Sequence, residues 1–253
     1  LLIRQRRAQI TRMLRENGTV RVSELSRLFG VSEVTIRSDL RALEKSGILL
    51  RVYGGAVNNI GTGLDVAFAA RAKINREAKQ RIAAAAVAMI EDGDTIAIDA
   101  GTTTMEIARQ LPSDLRITIV TTGPNIAMEA AAREKVTVDL AGGILSPAHI
   151  AVVGSDAEAT IRSFYTKKAF LAILAFDLER GLMDTSRAVA RVKRAFLENT
   201  EQAIVVADST KFGKIAPVAV APLSAVHTLI TDTGLSDVDA ERLREAGIEV
   251  IRV

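Results

Sequence analysis

The chain has 253 residues, of which 48% are apolar and 25% charged, a balance that excludes a disordered or collagen-like polymer and is ample for a buried core. It contains no cysteine, which excludes disulfides, thiolate metal sites and cysteine nucleophiles, and no apolar run approaches the about 18 residues of a membrane-spanning helix. The net charge of +3 is unevenly placed: residues 1–55 hold 11 Lys and Arg against 5 Asp and Glu, and the remainder holds 22 against 25. A basic excess confined to the first fifth of the chain points to a nucleic-acid-binding arm on a near-neutral partner domain. With no cysteine and no signal-peptide pattern, the expected setting is the cytoplasm, without membrane association.

In chain order, Arg4–Asn17 carries Ile10, Met13 and Leu14 at helical spacing and stops at Gly18. Val20–Val22 is a short extended bridge. Ser23 is expected to cap a second helix with Leu25, Leu28 and Phe29 turned inward. Gly30 and Val31 then form a turn, and Ser32 caps a third helix, Glu33–Lys45. Two short helices across a Gly-containing turn make a helix-turn-helix. At about 100° per residue, Ile36, Leu40 and Leu43 share one stripe of the third helix. Val34, Ser38 and Arg41 fall opposite, flanked by Thr35 and Arg37. Such a face reaches base edges and phosphates from a major groove. Residues 48–57 read as two strands around Gly54-Gly55, a wing with Arg51 and Tyr53 at polar positions.

The stretch Val31-Ser-Glu-Val-Thr-Ile-Arg37, with Asp39-Leu40, Leu43-Glu44 and Gly54-Gly-Ala56, resembles the winged helix-turn-helix of DeoR-type bacterial transcriptional regulators over about fifty ungapped residues. Ser38 and Tyr53 stand where that family usually has Arg and His. The resemblance implies an operator in double-stranded DNA as partner, contacted by Ser32, Val34, Thr35, Arg37, Ser38, Arg41, Arg51 and Tyr53.

A Gly-containing polar linker, 58–66, leads to a second domain, 67–253, against a first domain of 1–57. The second domain alternates helices (67–90, 103–110, 124–133, 155–164, 187–199, 237–245) with strands (94–99, 116–121, 136–140, 169–176, 203–207, 228–231, 249–253). Alternation at this spacing implies βαβ units and a largely parallel sheet, so the fold class is α/β with an N-terminal winged helix-turn-helix. Ligands in such sheets bind beyond the carboxyl ends of strands. Three loops there have the chemistry. In Asp99-Ala-Gly-Thr-Thr-Thr104, Gly101 would allow close backbone approach, and Thr102, Thr103 and Thr104 would present donors at a helix N-terminus. Gly142 and Gly143 follow another strand. Asp208 could accept from sugar hydroxyls while Lys211 meets an anion. Thr122 ends a further strand, and Lys193 lies on the helix after the 177–181 loop.

These loops, with Phe68-x-x-Arg71, Lys79, Gly154, Gly181, Val192-Lys193 and Lys211-Phe-Gly213, also resemble the DeoR-type sensor domain, itself similar to ribose-5-phosphate isomerases and coenzyme A transferases. The resemblance implies a regulator, expected to be a repressor of carbohydrate-metabolism genes, whose effector is a phosphorylated sugar or related small metabolite. Thr122, Ala172 and Ala188 or Ala190 stand where Asn, Gly and Glu are usual. The rival class is a sugar-phosphate isomerase carrying a DNA-binding appendage. Its candidate acids and bases, Asp99, Asp177 and Asp208, are equally explained as hydroxyl acceptors or caps, so no catalytic residue is assigned and no enzymatic activity is expected. His149 and His227 are too far apart for a local metal motif, so no metal or cofactor is expected. His149, beside the Gly142-Gly143 loop, could touch an effector. A single winged module buries little surface on DNA, so a homodimer or homotetramer is expected.

Overall fold

The computed structural model describes residues 3–17, 19–45, 49–52, 54–58, 68 and 71–253. It divides into two compact units, Leu1–Arg71 and Ala72–Val253.

In the first unit, α1 (Ile3–Asn17), β1 (Thr19–Arg21), α2 (Val22–Phe29) and α3 (Glu33–Lys45) precede the hairpin β2 (Leu49–Val52) and β3 (Gly55–Asn58). The three strands form an antiparallel sheet in the order β1-β3-β2. The core is Ile10, Leu14, Val20, Val22, Leu25, Ile36, Leu40, Leu43, Leu49 and Ala56. Gly30, at φ 63°, makes the tight turn between α2 and α3. Ser26 Oγ donates to Val31 O at 2.6 Å and fastens that turn. Gly55 is required for a different reason. A Cβ there would run into the Val20 carbonyl of β1, so the strand approach admits only hydrogen. A buried ion pair unforeseen from sequence ties α1 to α3: Asp39 accepts from Arg6 at 2.6 Å and Arg7 at 2.9 Å.

Two expectations for α2 are corrected. The helix begins one residue before Ser23, with Arg21 at the cap position, because Val22 is needed in the core. Leu28 points outward, 59% exposed, since Val22 and Leu25 already supply the buried stripe of this short helix.

The second unit is built on a seven-stranded, wholly parallel sheet in the order β15-β14-β12-β9-β4-β5-β6. The strands are β4 (Thr95–Ile98), β5 (Ile117–Thr121), β6 (Val136–Leu140), β9 (Thr166–Leu171), β12 (Thr200–Val206), β14 (Thr228–Thr231) and β15 (Glu249–Arg252). The helices are α4 (Arg76–Val87), α5 (Thr102–Gln110), α6 (Pro124–Ala130), α7 (Ser155–Arg162), α8 (Arg187–Glu198) and α9 (Asp237–Glu245). One apolar cluster packs α7 and α8 on one part of the sheet, through Ala97, Ala169, Val192 and Phe196. A second packs α9 and the small antiparallel sheet, through Phe176, Leu182, Leu229 and Leu243. The chain fills β4, β5 and β6 in one direction and then returns to lay β9 on the other side of β4. The strand order therefore reverses between β4 and β9, where open α/β sheets leave a crevice at the carboxyl ends.

The sequence did not reveal three features. The helix expected over 67–90 is interrupted: residues 71–73 are helical, Asn75 adopts φ 53°, and α4 starts at Arg76. Asn75 tolerates that left-handed conformation. Its side-chain amide donates to Asp208 at 2.9 Å, which holds it there. The strand expected over 169–176 is two strands. β9 ends at Leu171, and β10 (Ala175–Asp177) joins β11 (Gly181–Asp184) and β13 (Val218–Ala221) in a separate antiparallel sheet. Finally, β7 (Ile144–Ser146) and β8 (Ala151–Val153) form a hairpin beyond β6. Of the expected linker 58–66, only Asn58 lies within the described residues, as the end of β3.

Candidate functional site

On α3, Ile36, Leu40 and Leu43 are buried, which turns Val34, Ser38 and Arg41 outward. Val34 is 74% exposed, an unusual place for an apolar side chain and a suitable one for touching a thymine methyl. Ser32 caps the helix, accepting from Thr35 N at 3.2 Å, and its hydroxyl also bonds that of Thr35 at 2.9 Å. Arg37 is exposed and pairs with Glu33 at 2.8 Å, a surface contact weak enough to be exchanged for phosphate. Arg41 has no ion-pair partner among the described residues. Arg51 on the wing is held by Glu44 of α3, at 3.1 Å from its Nε and 3.2 Å from its backbone N. Glu44 thus fixes the wing against the helix. Tyr53 lies outside the described residues.

In the second unit, the carboxyl ends of β4 and β9 meet. Asp99 follows β4 and is 2% exposed. Lys193, on α8 and equally buried, donates to the Asp99 carboxylate and, at 2.5 Å, to the carbonyl of Ala172 after β9. Asp184, at the end of β11, lies 3.9 Å from the same ammonium. Burial pushes the Asp99 carboxyl above its ordinary value; Lys193 opposes this and Asp184 adds to it. His149 Nε2 is 3.8 Å from Asp184, and its Nδ1 bonds Ser146 Oγ at 3.1 Å. Asp184 carries no motif in the sequence, and its place just ahead of the helix that carries Lys193 is its one signal.

Thr122 stands one residue past the last paired residues of β4 and β5, Ile98 and Thr121, as Asp99 does on the β4 side. Val152 of β8 donates to its carbonyl at 2.7 Å, so the β7–β8 hairpin closes over it. Its hydroxyl is buried and has no hydrogen-bond partner among the described residues. Such an atom costs about 1–3 kcal/mol to bury unbonded.

Several predicted site residues take different roles. Gly101 has an extended backbone that any residue could adopt; a Cβ there would collide with the methyl of Ala172, so glycine serves loop packing. Thr104 is fully buried and turns its hydroxyl back to Gly101 O at 3.1 Å, while Thr103 is buried and Thr102 half-buried. The free N–H groups of this helix start remain the available donors. Gly143, at φ 133°, has no room for a side chain against Val153 O and shapes the start of the hairpin; Gly142 is exposed beside it. Asp208 is not in the Lys193 cluster. It follows β12, two strands from β4, where it accepts from Asn75 and the Thr210 hydroxyl. Lys211 is half-buried nearby. Asp177 holds its own loop by accepting from Glu179 N and Arg180 N, and those backbone bonds keep its carboxyl below the ordinary range despite partial burial.

Residues 6–60 match the DeoR-like helix-turn-helix domain and residues 74–233 the DeoR C-terminal sensor domain. The chain belongs to the DeoR family of transcriptional regulators. It is 34% identical to an uncharacterised HTH-type transcriptional regulator, YulB, of Bacillus subtilis (strain 168), over 100% of this chain and 98% of that one. It is 34% identical to the HTH-type transcriptional regulator GlpR of Haloferax volcanii, over 99% and 98%. It is 36% identical to the transcriptional repressor AccR of Agrobacterium fabrum (strain C58), over 90% and 89%. Among solved structures it resembles the full-length sorbitol operon regulator SorC of Klebsiella pneumoniae, at 15% identity over 83% and 89% of the two chains with a TM-score of 0.39. This DeoR-family chain is a DNA-binding transcriptional regulator, not an enzyme, as the regulator and repressor names of its relatives indicate. No helix among the described residues is long and apolar enough to cross a membrane.

Proposed function

We propose that the protein is a repressor of carbohydrate-metabolism genes, with DNA-binding residues within 1–57 and a sensor in 67–253. A phosphorylated sugar or similar anion would bind at the carboxyl ends of β4, β5 and β9 and change operator affinity. The observation that carries the site is the unbonded, buried hydroxyl of Thr122 beside the Asp99–Lys193 pair. A polyol placed there gives that hydroxyl a partner and Asp99 a donor, while the N–H groups opening α5 receive an anion. Gly142, Gly143 and His149 border the site. Asp208 and Lys211, two strands away, would belong to it only for a ligand that extends along the sheet.

The test is fluorescence anisotropy of an operator duplex titrated with pentose and hexose monophosphates, with matched neutral sugars and carboxylates alongside. Release or tightening by a phosphate alone is the expected result. A response confined to neutral sugars or carboxylates overturns the phosphate reading, and no response in any arm overturns the effector reading. On the DNA side, Arg37→Ala is expected to cost more than about 1 kcal/mol of operator affinity. Arg51→Ala is expected to weaken specific and non-specific DNA alike and to flatten the salt dependence. Unchanged binding by both variants overturns the placement of α3 and the wing.

A further inference from the structure

The polar side chains of α3 divide into those already engaged and those left free. Thr35 shares its hydroxyl with Ser32, Arg37 pairs with Glu33, and Asp39 is buried and held by Arg6 and Arg7. Val34, Ser38 and Arg41, at i, i+4 and i+7, form one exposed stripe. The Ser38 hydroxyl and the Arg41 guanidinium have no hydrogen-bond or ion-pair partner among the described residues. Val34 is the one apolar member of this stripe and its most N-terminal residue.

A lone exposed valine on a protein surface needs no explanation; the place of this one does. It lies in the first turn of the second helix of a helix-turn-helix, the part of such a helix that meets base edges. The turn is fixed from both sides, by the Ser32 cap on Thr35 N and by Ile36 in the core. Within a helix a valine side chain keeps essentially one rotamer, so its two methyl groups are presented without further ordering. Valine neither donates nor accepts a hydrogen bond and can recognise a base only through hydrocarbon. The hydrocarbon group that a base pair offers in the major groove is the C5-methyl of thymine. At about 1.5 Å of rise per residue, Ser38 follows Val34 by about 6 Å, close to two base-pair steps of about 3.4 Å.

We propose that Val34 selects thymine at one position of the sequence that α3 reads, by packing on the 5-methyl group. Ser38 then stands over a base about two steps along, and Arg41 lies beyond it. This rests on α3 entering the major groove, as proposed above, and adds which base is read there and by what chemistry. It does not depend on which effector binds.

The test is fluorescence anisotropy of the full chain on a duplex that it has selected from a random pool. Each thymine is replaced in turn by uracil, which removes the 5-methyl group and leaves every hydrogen-bonding group in place. At one thymine for each α3 bound, the replacement is expected to weaken wild-type binding about threefold or more, the scale of one buried methyl group. Val34→Ser, on an exposed side chain, is expected to keep its fold by circular dichroism and to bind the thymine and uracil duplexes equally. Wild-type binding that is indifferent to every thymine methyl overturns the proposal without recourse to any variant. So does a methyl preference that Val34→Ser retains. Arg37→Ala separates this claim from the one beneath it. If that variant binds more weakly while no methyl matters, the role of Val34 falls and the placement of α3 stands. If Arg37→Ala and Arg51→Ala both bind as wild type does and no methyl matters, both fall.

Discussion

Strand β4 is bracketed by two buried aspartates, each facing a buried lysine, and the two ends behave differently. At the amino end, Asp94 pairs with Lys168 at 2.9 Å and with Lys167 at 3.0 Å, and also accepts from Glu91 N at 3.0 Å. Burial alone would raise this carboxyl, but the bonds from Lys168, Glu91 N and Lys167 outweigh it and hold Asp94 below the ordinary range. At the carboxyl end, Asp99 faces Lys193 with Asp184 close by, burial prevails, and its carboxyl is pushed up. Beside Asp99 a threonine hydroxyl goes unbonded. One end has its polar groups satisfied internally; the other holds charge and an unused hydrogen-bonding group where the strand order reverses. Fully satisfied buried networks rigidify a fold, whereas a buried hydroxyl left unbonded calls for its own explanation, and a ligand is the one proposed above for Thr122.

The largest effect expected from this contrast is at the amino end. Asp94→Asn leaves the Lys168 ammonium buried without its counter-charge and is expected to cost about 3–5 kcal/mol in urea unfolding. Asp99→Asn is expected to cost less, because Lys193 keeps Asp184 and the Ala172 carbonyl. Equal losses would erase the distinction between the two ends.

The hydroxyl comparison comes next. Thr122 and Thr231 are both buried with unbonded hydroxyls, and Thr231 ends β14, three strands from β4. Thr122→Val and Thr231→Val should each raise stability by about 1–3 kcal/mol, because a methyl needs no partner. Only Thr122→Val should also shift the effector midpoint for operator release. A midpoint shift in both, or in neither, would remove the special standing of Thr122.

The smallest effect is in the pH dependence. A carboxyl held low in the folded state contributes stability that is present above its unfolded pKa and is lost as pH falls through the folded value. The advantage of wild type over Asp94→Asn should therefore shrink as acid is added below about pH 4. A carboxyl held high binds its proton more tightly when folded, so its contribution is full below the unfolded pKa and is lost as pH rises through the folded value. The advantage of wild type over Asp99→Asn should grow as pH falls toward 4. Urea unfolding of the three proteins between pH 7 and pH 3 checks both signs.

What the sequence made legible follows the range of the forces involved. The outward face of α3 follows from three apolar residues at helical spacing, a local pattern. The parallel sheet follows from alternation, and the position of Asp99 and Lys193 beside it follows from strand ends. A helix over 67–90 puts Asn75 mid-helix, whereas its left-handed turn is held by Asp208, 133 residues away. The continuous apolar run 169–176 carries no period that separates β9 from β10, since the residues of both strands that fall within it are buried. Asp208 and Asp99 both end strands and look alike in sequence, and only the strand order puts β9 between them. Gly101 suggests conformational freedom in sequence, whereas the methyl of Ala172, 71 residues on, is what excludes a side chain there.

The central claim is that the carboxyl end of β4 receives the effector and the amino end only holds the sheet. The direct measurement is the sugar-phosphate midpoint for the operator response, read by fluorescence anisotropy on wild type, Asp94→Asn and Asp99→Asn at a temperature where all three are folded. Asp94→Asn is expected to keep the wild-type midpoint despite its lower stability, and Asp99→Asn to shift it at least tenfold while still binding operator. A wild-type midpoint in Asp99→Asn, or an equal shift in Asp94→Asn, would contradict the account.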